Sequence, residues 1–228
     1  MKPNAILIAG PTASGKSDLA IQIAKRMNGR IINADSMQIY SILQELTARP
    51  DASEMDGVEH VMFGHVSPDT SYSVAQWLVD AAGELKAIET LNQTPVFVGG
   101  TGLYYKALLE GLSDVPQIDP AIRRSLRDQS LVDLPGLYGA LKTEDHENWL
   151  ALEATDSQRI VRALEVVRST GKPLSFWQNQ KKAAPLLDAS KCLKIILSPP
   201  RELLHHRIEK RFHQMVEKGA LDEVWALL

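Results

Sequence analysis

The sequence predicts an α/β protein in which a doubly wound parallel sheet carries an all-helical insertion domain. Short apolar runs alternate with segments of helical periodicity in the first 113 residues and again near the C-terminus. Between residues 114 and 187, apolar residues recur at helical spacing only, and no convincing strand is found. We therefore predict a discontinuous core formed by residues 1–113 and 188–228, and a helical domain formed by residues 114–187.

Four apolar runs predict the strands of the sheet, since buried parallel strands are apolar on both faces. The second is expected to end at Asp35, and the third leads into glycines that open a helix. The four runs are NAILIAG from residue 4, GRIINADS from residue 29, TPVFVGGTG from residue 94 and CLKIILSPP from residue 192.

Helices are predicted between these strands from their amphipathic spacing. SDLAIQIAKRM follows the first strand, and the Asn28-Gly29 pair is expected to end it. SYSVAQWLVDAAGELKAIETL has Ser73 as its predicted N-cap. LYYKALLEG follows the third strand, and RELLHHRIEKRFHQMVEKG follows the fourth, with Gly219 expected to interrupt it.

Composition places the chain among soluble globular proteins. Its 228 residues are 44% hydrophobic and 23% charged. No apolar run approaches the ~18 residues needed to cross a bilayer, and the N-terminus does not resemble a signal peptide, so we expect no membrane partner. The single cysteine, Cys192, lies in an apolar run and is expected to be a buried thiol in a reducing cytoplasm. The C-terminal GALDEVWALL has no helix cap or breaker, so the natural chain is expected to continue.

The segment GPTASGKS matches the pattern G-x-x-x-x-G-K-[ST], with Gly10, Gly15, Lys16 and Ser17 at the fixed positions. In such a loop, backbone N–H groups and the positive end of the following helix surround an anion. The lysine adds a point charge, and the serine can bind Mg²⁺. Because the segment follows a strand and opens a helix, it predicts a phosphate site and a core of the P-loop NTPase type.

Other features argue against a nucleotide hydrolase. Such enzymes carry a second apolar strand that ends in an aspartate and holds Mg²⁺. PVFVGG ends in glycines and KIILSPP in prolines, so only IINADS ends in a carboxylate. The loop therefore predicts a phosphoanion without identifying ATP.

Two polar residues are expected at the edge of the sheet where ligands bind. Asp35 is interpreted equally as a general base, as a metal contact or as the N-cap of a following helix. Thr101 provides either a hydroxyl for the ligand or the N-cap of the next helix.

Basic residues are grouped in the insertion and in the last long helix, although the net charge is −3. An acidic balance does not favour nucleic-acid binding, but a local patch is sufficient. Arg159, Arg162 and Arg168 recur at helical spacing and form either a solvated face or contacts to a phosphate backbone. Arg123, Arg124 and Arg127 add charge to the same insertion.

Taken together and in this order, GPTASGKS, IINADSMQIY, VGGTGLYYKALLEGL and QRIVRALEV with TGKPLS resemble the bacterial tRNA dimethylallyltransferases, or tRNA isopentenyltransferases. The resemblance covers essentially the whole chain. It implies that the loop holds dimethylallyl diphosphate. It further implies that the dimethylallyl group is transferred to the N6 amine of the adenosine on the 3′ side of the anticodon, and that diphosphate leaves with Mg²⁺.

The resemblance also implies the roles of individual residues. Asp35 corresponds to the general base, Thr101 to a threonine near the diphosphate and the base, and Arg211 to an arginine that steadies the leaving group. Ser17 is the implied metal contact. The implied diphosphate cradle consists of Gly10, Pro11, Thr12, Ala13, Ser14, Gly15, Lys16 and Ser17. The implied tRNA contacts are Asp35, Ser36, Met37, Gln38, Thr101, Arg123, Gln158, Arg159, Ile160, Val161 and Arg162.

Alternatives remain open at this point. The stretch QELTARPDASE departs from the family pattern but keeps Thr47, Ala48 and Arg49. A small-molecule kinase, a prenyltransferase of free adenine nucleotides and a non-catalytic phosphate-loop protein are the competing interpretations. The expected partners are the anticodon stem-loop of tRNA and dimethylallyl diphosphate, the expected cofactor is Mg²⁺, and the expected state is a monomer.

Overall fold

A computed structural model describes residues 3–180 and 182–227 of the chain. These residues divide into two compact units. The first contains the residues up to Glu110 and those from Pro185 onward, and the second is Gly111–Ala184. Met1 and Leu228, the outer limits of the predicted core, lie outside the described residues.

The first unit is built on a parallel sheet of five strands in the order β3-β2-β4-β1-β5. β1 is flanked by β4, with Ile6 opposite Val96, and by β5, with Ile6 opposite Leu193. Because all strands run the same way, their carboxyl ends share one edge. The strands are β1 (Ala5–Ala9), β2 (Gly29–Asn33), β3 (His60–Val61), β4 (Thr94–Gly99) and β5 (Cys192–Ile196).

Helices connect these strands, and their ends follow the predicted signals. Asn28, in the left-handed conformation at φ 49°, ends α1. At the start of α2, Ser73 and Gln76 form a reciprocal capping box, which confirms the predicted cap. Gly219, at φ 100°, separates α9 from α10 as expected. The helices of this unit are α1 (Lys16–Met27), α2 (Val74–Thr90), α3 (Gly102–Glu110), α9 (Arg201–Glu217) and α10 (Ala220–Trp225).

Two apolar cores cover the two faces of the sheet, because alternate residues of a strand point to opposite sides. Leu7 and Phe97 pack with Trp77 of α2 on one face. Ile6 and Ile8 pack against α1 on the other. The Trp77 ring also stacks on Tyr104 at 4.3 Å between centroids. The central strands are therefore rigid supports for the loops at their ends.

The second unit contains five helices, and no strand occurs among its described residues. Its core is built from Leu126, Leu137, Leu141 and Leu164 with their neighbours. The first four helices each begin at an aspartate whose side chain accepts a helix N–H, as N-caps do. The helices are α4 (Pro120–Val132), α5 (Leu134–Glu144), α6 (His146–Ala151), α7 (Ser157–Thr170) and α8 (Leu174–Gln178). The predicted fold class is confirmed.

Two local predictions differ from the structure, and one strand was not predicted. β2 ends at Asn33, so Asp35 lies two residues beyond the strand. β3 was not predicted, because two residues are too short for a periodic signal. Cys192 is half-buried rather than buried, since β5 is an edge strand on which Ile196 is 77% exposed.

Within the described residues, every helix is too short or too polar to cross a membrane.

Candidate functional site

The loop between β1 and α1 has the conformation that its sequence pattern requires. Ala13 (φ 58°) and Gly15 (φ 87°) both adopt left-handed backbone angles, which turn successive N–H groups towards one concave side. The Lys16 ammonium donates a hydrogen bond to the Pro11 carbonyl at 3.2 Å across the loop. The loop is therefore folded as an anion nest at the N-terminus of a twelve-residue helix.

Gly10 and Ser14 explain why this loop is so compact. A Cβ on Gly10 would lie 2.9 Å from the Ser14 hydroxyl and 3.0 Å from the Leu197 carbonyl, so a larger residue would require these neighbours to shift. The Ser14 hydroxyl is buried and has no hydrogen-bond partner within the described chain. An orphaned buried donor beside an anion nest is what a phosphate oxygen would satisfy.

Asp35 is held by a buried asparagine two residues earlier. The Asn33 amide accepts a hydrogen bond from the Asp35 N–H at 2.8 Å and donates one to the Asp35 carbonyl at 2.9 Å. Asn33 is fully buried and also donates to the Met62 carbonyl. The Asp35 backbone is therefore fixed on both sides.

The side chain of Asp35 contributes to a turn rather than to a helix. Its Oδ1 accepts the Met37 N–H at 3.0 Å, and residues 36–39 form bends and turns. The helix N-cap interpretation was therefore wrong. Its Oδ2 has no hydrogen-bond partner within residues 3–180 and 182–227, which leaves this oxygen available to a ligand.

Thr101 connects the end of β4 to this turn. Its hydroxyl accepts the Ser36 N–H at 2.9 Å and donates to the Ser36 hydroxyl at 3.2 Å. The Thr101 N–H donates to the Ala34 carbonyl at 3.1 Å. The threonine thus orders the Asp35 turn, although α3 begins at the next residue.

One cleft of about 700 Å³ collects most of the residues predicted for the first unit. Its lining includes Thr12 to Ser17, Asp35, Gln38 and Arg211. Gly10, Pro11, Ser36, Met37 and Thr101 do not line it; the Met37 side chain is exposed.

The opposite wall of the cleft comes from α9 and from the segment that follows Ile42. An Arg211 guanidinium nitrogen donates to the Ala48 carbonyl at 3.4 Å. An Arg207 nitrogen, one helical turn earlier, donates to the Ala13 carbonyl at 3.4 Å. The Gln38 amide donates to the carbonyls of Thr47 and Ala48 at 3.1 and 2.8 Å. The i, i+4 spacing of Arg207 and Arg211 signals a shared helix face, but only the fold turns that face towards the phosphate loop.

Charges in the cleft act on one another. Burial lowers the pKa of Lys16, while Asp35 opposes this shift and Arg211 adds to it. Burial also lowers the pKa of Arg211, against the attraction of Glu54 and Asp35. Desolvation raises the pKa of Tyr104 to about 12, with Tyr40 and Asp35 contributing. Two partly desolvated cations and one carboxylate therefore lie within electrostatic range of each other.

The oxygen atoms that the protein offers in the cleft could bind a hard cation only together with oxygens of a bound diphosphate. Ser17 lies exposed in the first turn of α1, and Asp35 lines the same cleft. In the described part of the chain, no three histidine, cysteine, aspartate or glutamate side chains form a metal cluster. A hydroxyl and a carboxylate fit Mg²⁺ when diphosphate oxygens and water complete its shell.

The predicted RNA-contacting residues of the second unit separate into two groups. Ile160 and Val161 are 0% and 8% exposed and pack in the helical core, which argues against side-chain contacts to RNA. Gln158 and Arg159 are exposed at the start of α7. Arg159 pairs with Asp156 at 3.2 Å, and its side chain remains 75% exposed.

A buried carboxylate organises the remaining arginines of this unit. Glu165, only 5% exposed, lies 3.4 Å from Arg162, 3.6 Å from Arg127 and 3.7 Å from Arg123. The three arginines and Glu165 form a cluster with a net positive charge. The cluster lies beside a pocket of about 420 Å³ that Ser157 and Gln158 also line. Arg168, by contrast, is engaged by both oxygens of Glu144.

Comparison with protein families gives two matches. Residues 38–228 match the model of the IPP transferase family, and residues 3–68 match the model of the isopentenyl transferases.

Curated relatives and solved structures agree with these matches. The chain is 49% identical to proteins named tRNA dimethylallyltransferase from Sinorhizobium medicae and Rhizobium johnstonii, over 99% of this chain and 74% and 76% of theirs. It resembles the crystal structure of a tRNA isopentenylpyrophosphate transferase from Bacillus halodurans with 33% identity and a TM-score of 0.63, over 99% of this chain and 70% of that one. It also resembles a eukaryotic dimethylallyltransferase described as acting on tRNA, with 29% identity and a TM-score of 0.77, over 98% of this chain and 55% of that one.

Proposed function

The chain belongs to the IPP transferase family, and from that premise we propose that it transfers a dimethylallyl group from dimethylallyl diphosphate to the N6 amine of the adenosine on the 3′ side of the anticodon. It is a prenyltransferase of tRNA, as its curated relatives are. We propose the identity of the prenyl donor, the identity of the target atom and the role of each residue. The observation that carries it is the single cleft shared by the phosphate loop, Asp35 and Arg211.

The diphosphate of the donor binds in the nest formed by residues 10–17. Backbone N–H groups, the Lys16 ammonium and the Ser14 hydroxyl supply donors to its oxygens, and Arg211 approaches from the opposite wall. Charged donors fixed before the reaction stabilise the charge that grows on a leaving diphosphate. The partial burial of Lys16 and Arg211 strengthens this effect, because screening by water is weaker there.

We expect Mg²⁺ to be held by the donor's oxygens together with Ser17 and, through water, Asp35. When bound, it neutralises part of the diphosphate charge.

Asp35 acts as the general base in the transfer. The bond between the allylic carbon and the diphosphate oxygen breaks as the adenine nitrogen forms a bond to that carbon, and a proton leaves the amine for Oδ2 of Asp35. Diphosphate departs with the electron pair of the broken bond. An exocyclic amine is a weak nucleophile, so removal of its proton in the transition state gives a large rate advantage.

Recognition of RNA is divided between the two units. Asp35 and Gln38, which line the cleft, receive the target base, and Ser36 and Met37 between them contact the RNA next to it. The base must leave its stack to reach the cleft. In the second unit, Arg159, Arg162 and Arg123 contact the phosphate backbone of the anticodon stem-loop. A tRNA substrate is consistent with the cytoplasm, where we expect the protein to act as a monomer.

The kinase and the nucleotide prenyltransferase weighed against this activity are not favoured, since the curated relatives are named as tRNA-modifying enzymes. A non-catalytic role is not favoured for the same reason.

The test uses the purified chain with Mg²⁺, dimethylallyl diphosphate and unmodified tRNA. The tRNA is digested and examined by mass spectrometry for N6-isopentenyladenosine. Its appearance only when the donor is present supports the proposal. Binding and turnover of ATP, without a modified nucleoside, would overturn it in favour of a kinase.

A further inference from the structure

Glu223 of α10 accepts hydrogen bonds from three consecutive backbone N–H groups of a distant segment. Its Oε1 lies 3.0 Å from the Gln44 nitrogen and 2.7 Å from the Glu45 nitrogen, and its Oε2 lies 2.9 Å from the Leu46 nitrogen. The partners are 177 to 179 residues apart in sequence. None of the steps assigned above uses this carboxylate.

Three successive N–H groups that converge on one anion form a nest of the same kind as the phosphate loop. Hydrogen bonds to an ionised carboxylate are roughly twice as strong as neutral ones. Glu223 is half-buried, so the carboxylate is partly shielded from competing water. This contact therefore fixes the turn formed by residues 44–46.

The turn belongs to the wall of the cleft that faces the phosphate loop. Gln44, Glu45, Thr47 and Ala48 all line the cleft. The Ala48 carbonyl accepts hydrogen bonds from Gln38 and from Arg211. A shift of residues 44–46 would move the acceptor that orients both side chains.

Glu223 is also connected to α9, the other segment of this wall. α10 follows α9 directly after Gly219, and the Glu223 N–H donates to the Gly219 carbonyl at 3.3 Å. α9 contributes Arg207 and Arg211 to the lining of the cleft, and Lys218 at its C-terminal end also lines it. The Glu223 carboxylate consequently connects α9, which supplies the arginines, to the loop whose Ala48 carbonyl accepts a hydrogen bond from Arg211.

We propose that Glu223 is a positioning residue that clasps α10, and with it α9, to the turn of residues 44–46 and, by fixing the Ala48 carbonyl, aims Arg211 at the diphosphate of the donor. The identity of this anion rests on the proposed function; the clasp itself rests on the geometry. No contact between Glu223 and substrate is implied.

The test is Glu223→Gln in the full chain, with Asp222→Asn as the matched control. Glutamine keeps the shape of the side chain, but its amide nitrogen is a donor and cannot accept the third N–H. Asp222 is the neighbouring acid on the same helix and is exposed, so its neutralisation removes one charge without touching the turn. Glu223→Asp keeps the charge on a shorter stem and is expected to retain part of the effect.

The first readout is hydrogen–deuterium exchange of the amides of residues 44–46. We expect faster exchange there in Glu223→Gln, with unchanged exchange in Asp222→Asn. The second readout is the Kd for inorganic diphosphate by calorimetry, which we expect to rise about tenfold, the effect of about one lost hydrogen bond to a charged group.

A double-mutant cycle with Arg211→Ala separates positioning from general stability. If Glu223 acts through Arg211, the loss caused by Glu223→Gln nearly disappears in the Arg211→Ala background. Unchanged protection of residues 44–46, or fully additive losses, would overturn the inference. If the wild-type chain does not bind diphosphate, the proposed function fails, and the exchange experiment alone decides on the clasp.

Discussion

At the scale of single residues, the conformation of Asp35 is fixed by its neighbours. Its backbone is fixed by Asn33, its Oδ1 accepts the Met37 N–H, and the turn that follows is bonded to Thr101. Asp35 lines the cleft, and these contacts leave its Oδ2 without a hydrogen-bond partner in the described chain. In the proposed reaction, Oδ2 is therefore the oxygen that we expect to accept the proton.

Replacement of Asp35 by asparagine is expected to lower kcat by about 10²-fold or more, because the amide cannot accept the proton. The Kd for dimethylallyl diphosphate should stay within a few-fold of wild type, since the loop and Lys16 are unchanged. Single-turnover rates and calorimetric titration with the donor measure the two quantities. Near-normal turnover would refute the assignment of the base.

We expect Lys16 to make binding of the donor sensitive to pH. Its pKa is lowered from 10.5 chiefly by burial, so the free protein loses the ammonium charge at a lower pH than an ordinary lysine does. The diphosphate binds the charged form. Affinity for the donor should therefore fall as the pH rises through this lowered pKa. At a pH near this pKa, binding of the donor should be accompanied by proton uptake.

Calorimetry over this alkaline range, in buffers of different ionisation enthalpy, measures the effect. In Lys16→Arg the pH dependence should vanish, because a guanidinium does not titrate there. An affinity that stays level up to pH 10.5 would contradict the role of Lys16.

At the scale of elements, the end of β4 depends on a glycine because two strand ends meet there. A Cβ on Gly99 would overlap the backbone of Ala34, immediately before Asp35. Gly83, in the middle of α2, has open space where its Cβ would be.

Gly99→Ala is expected to destabilise the fold by about 1–3 kcal/mol, as overpacking against backbone does. Gly83→Ala is expected to stabilise it by up to about 1 kcal/mol, because alanine favours a helix. Denaturant unfolding of both variants tests the pair. Equal stabilities would show that β2 and β4 do not approach as closely as described.

In α7, arginines on one helix differ in their freedom to bind RNA. The Arg159 side chain is 75% exposed, whereas Arg168 is held by two hydrogen bonds to Glu144. Arg159→Ala should raise the KM for tRNA and reduce the slope of log KM against log salt concentration by about 1, the value for one lost phosphate contact. The KM for the donor should change little.

Arg168→Ala is the matched control and should leave both the KM for tRNA and its salt dependence nearly unchanged. A rise in the donor KM for Arg159→Ala would contradict the role given to this helix.

At the scale of the whole molecule, the second unit carries its own core. Gly111–Ala184 packs α4, α5 and α7 around buried leucines, and its two ends meet where the Ala183 N–H donates to the Leu112 carbonyl. Such a segment has the anatomy of an independent domain.

Expressed alone, Gly111–Ala184 should give a helical circular-dichroism spectrum and a cooperative thermal transition, and it should not bind diphosphate. A disordered spectrum would show that this unit depends on the sheet for its stability.

Much of this architecture was predictable because the signals are local. Apolar runs and helical periodicity indicated four of the five strands and the helical insertion, and Ser73, Asn28 and Gly219 marked helix ends by their own chemistry. β3 has two residues and carries no such signal. The apolar run around Cys192 predicts a buried thiol, but apolarity predicts burial only on average. The edge position of β5 exposes part of this residue, and no local signal in the sequence encodes that position.

The sequence by itself determined the phosphate loop, since a fixed spacing of glycines, lysine and serine between a strand and a helix dictates one backbone shape. It also determined the family, through four motifs in order. Only the tertiary structure decided which residues oppose the loop: Arg211 beside Ala48, Asn33 beneath Asp35 and Glu223 on the turn of residues 44–46. These partners lie far apart in sequence or depend on where a strand ends, so their contacts exist only once the sheet brings the segments together.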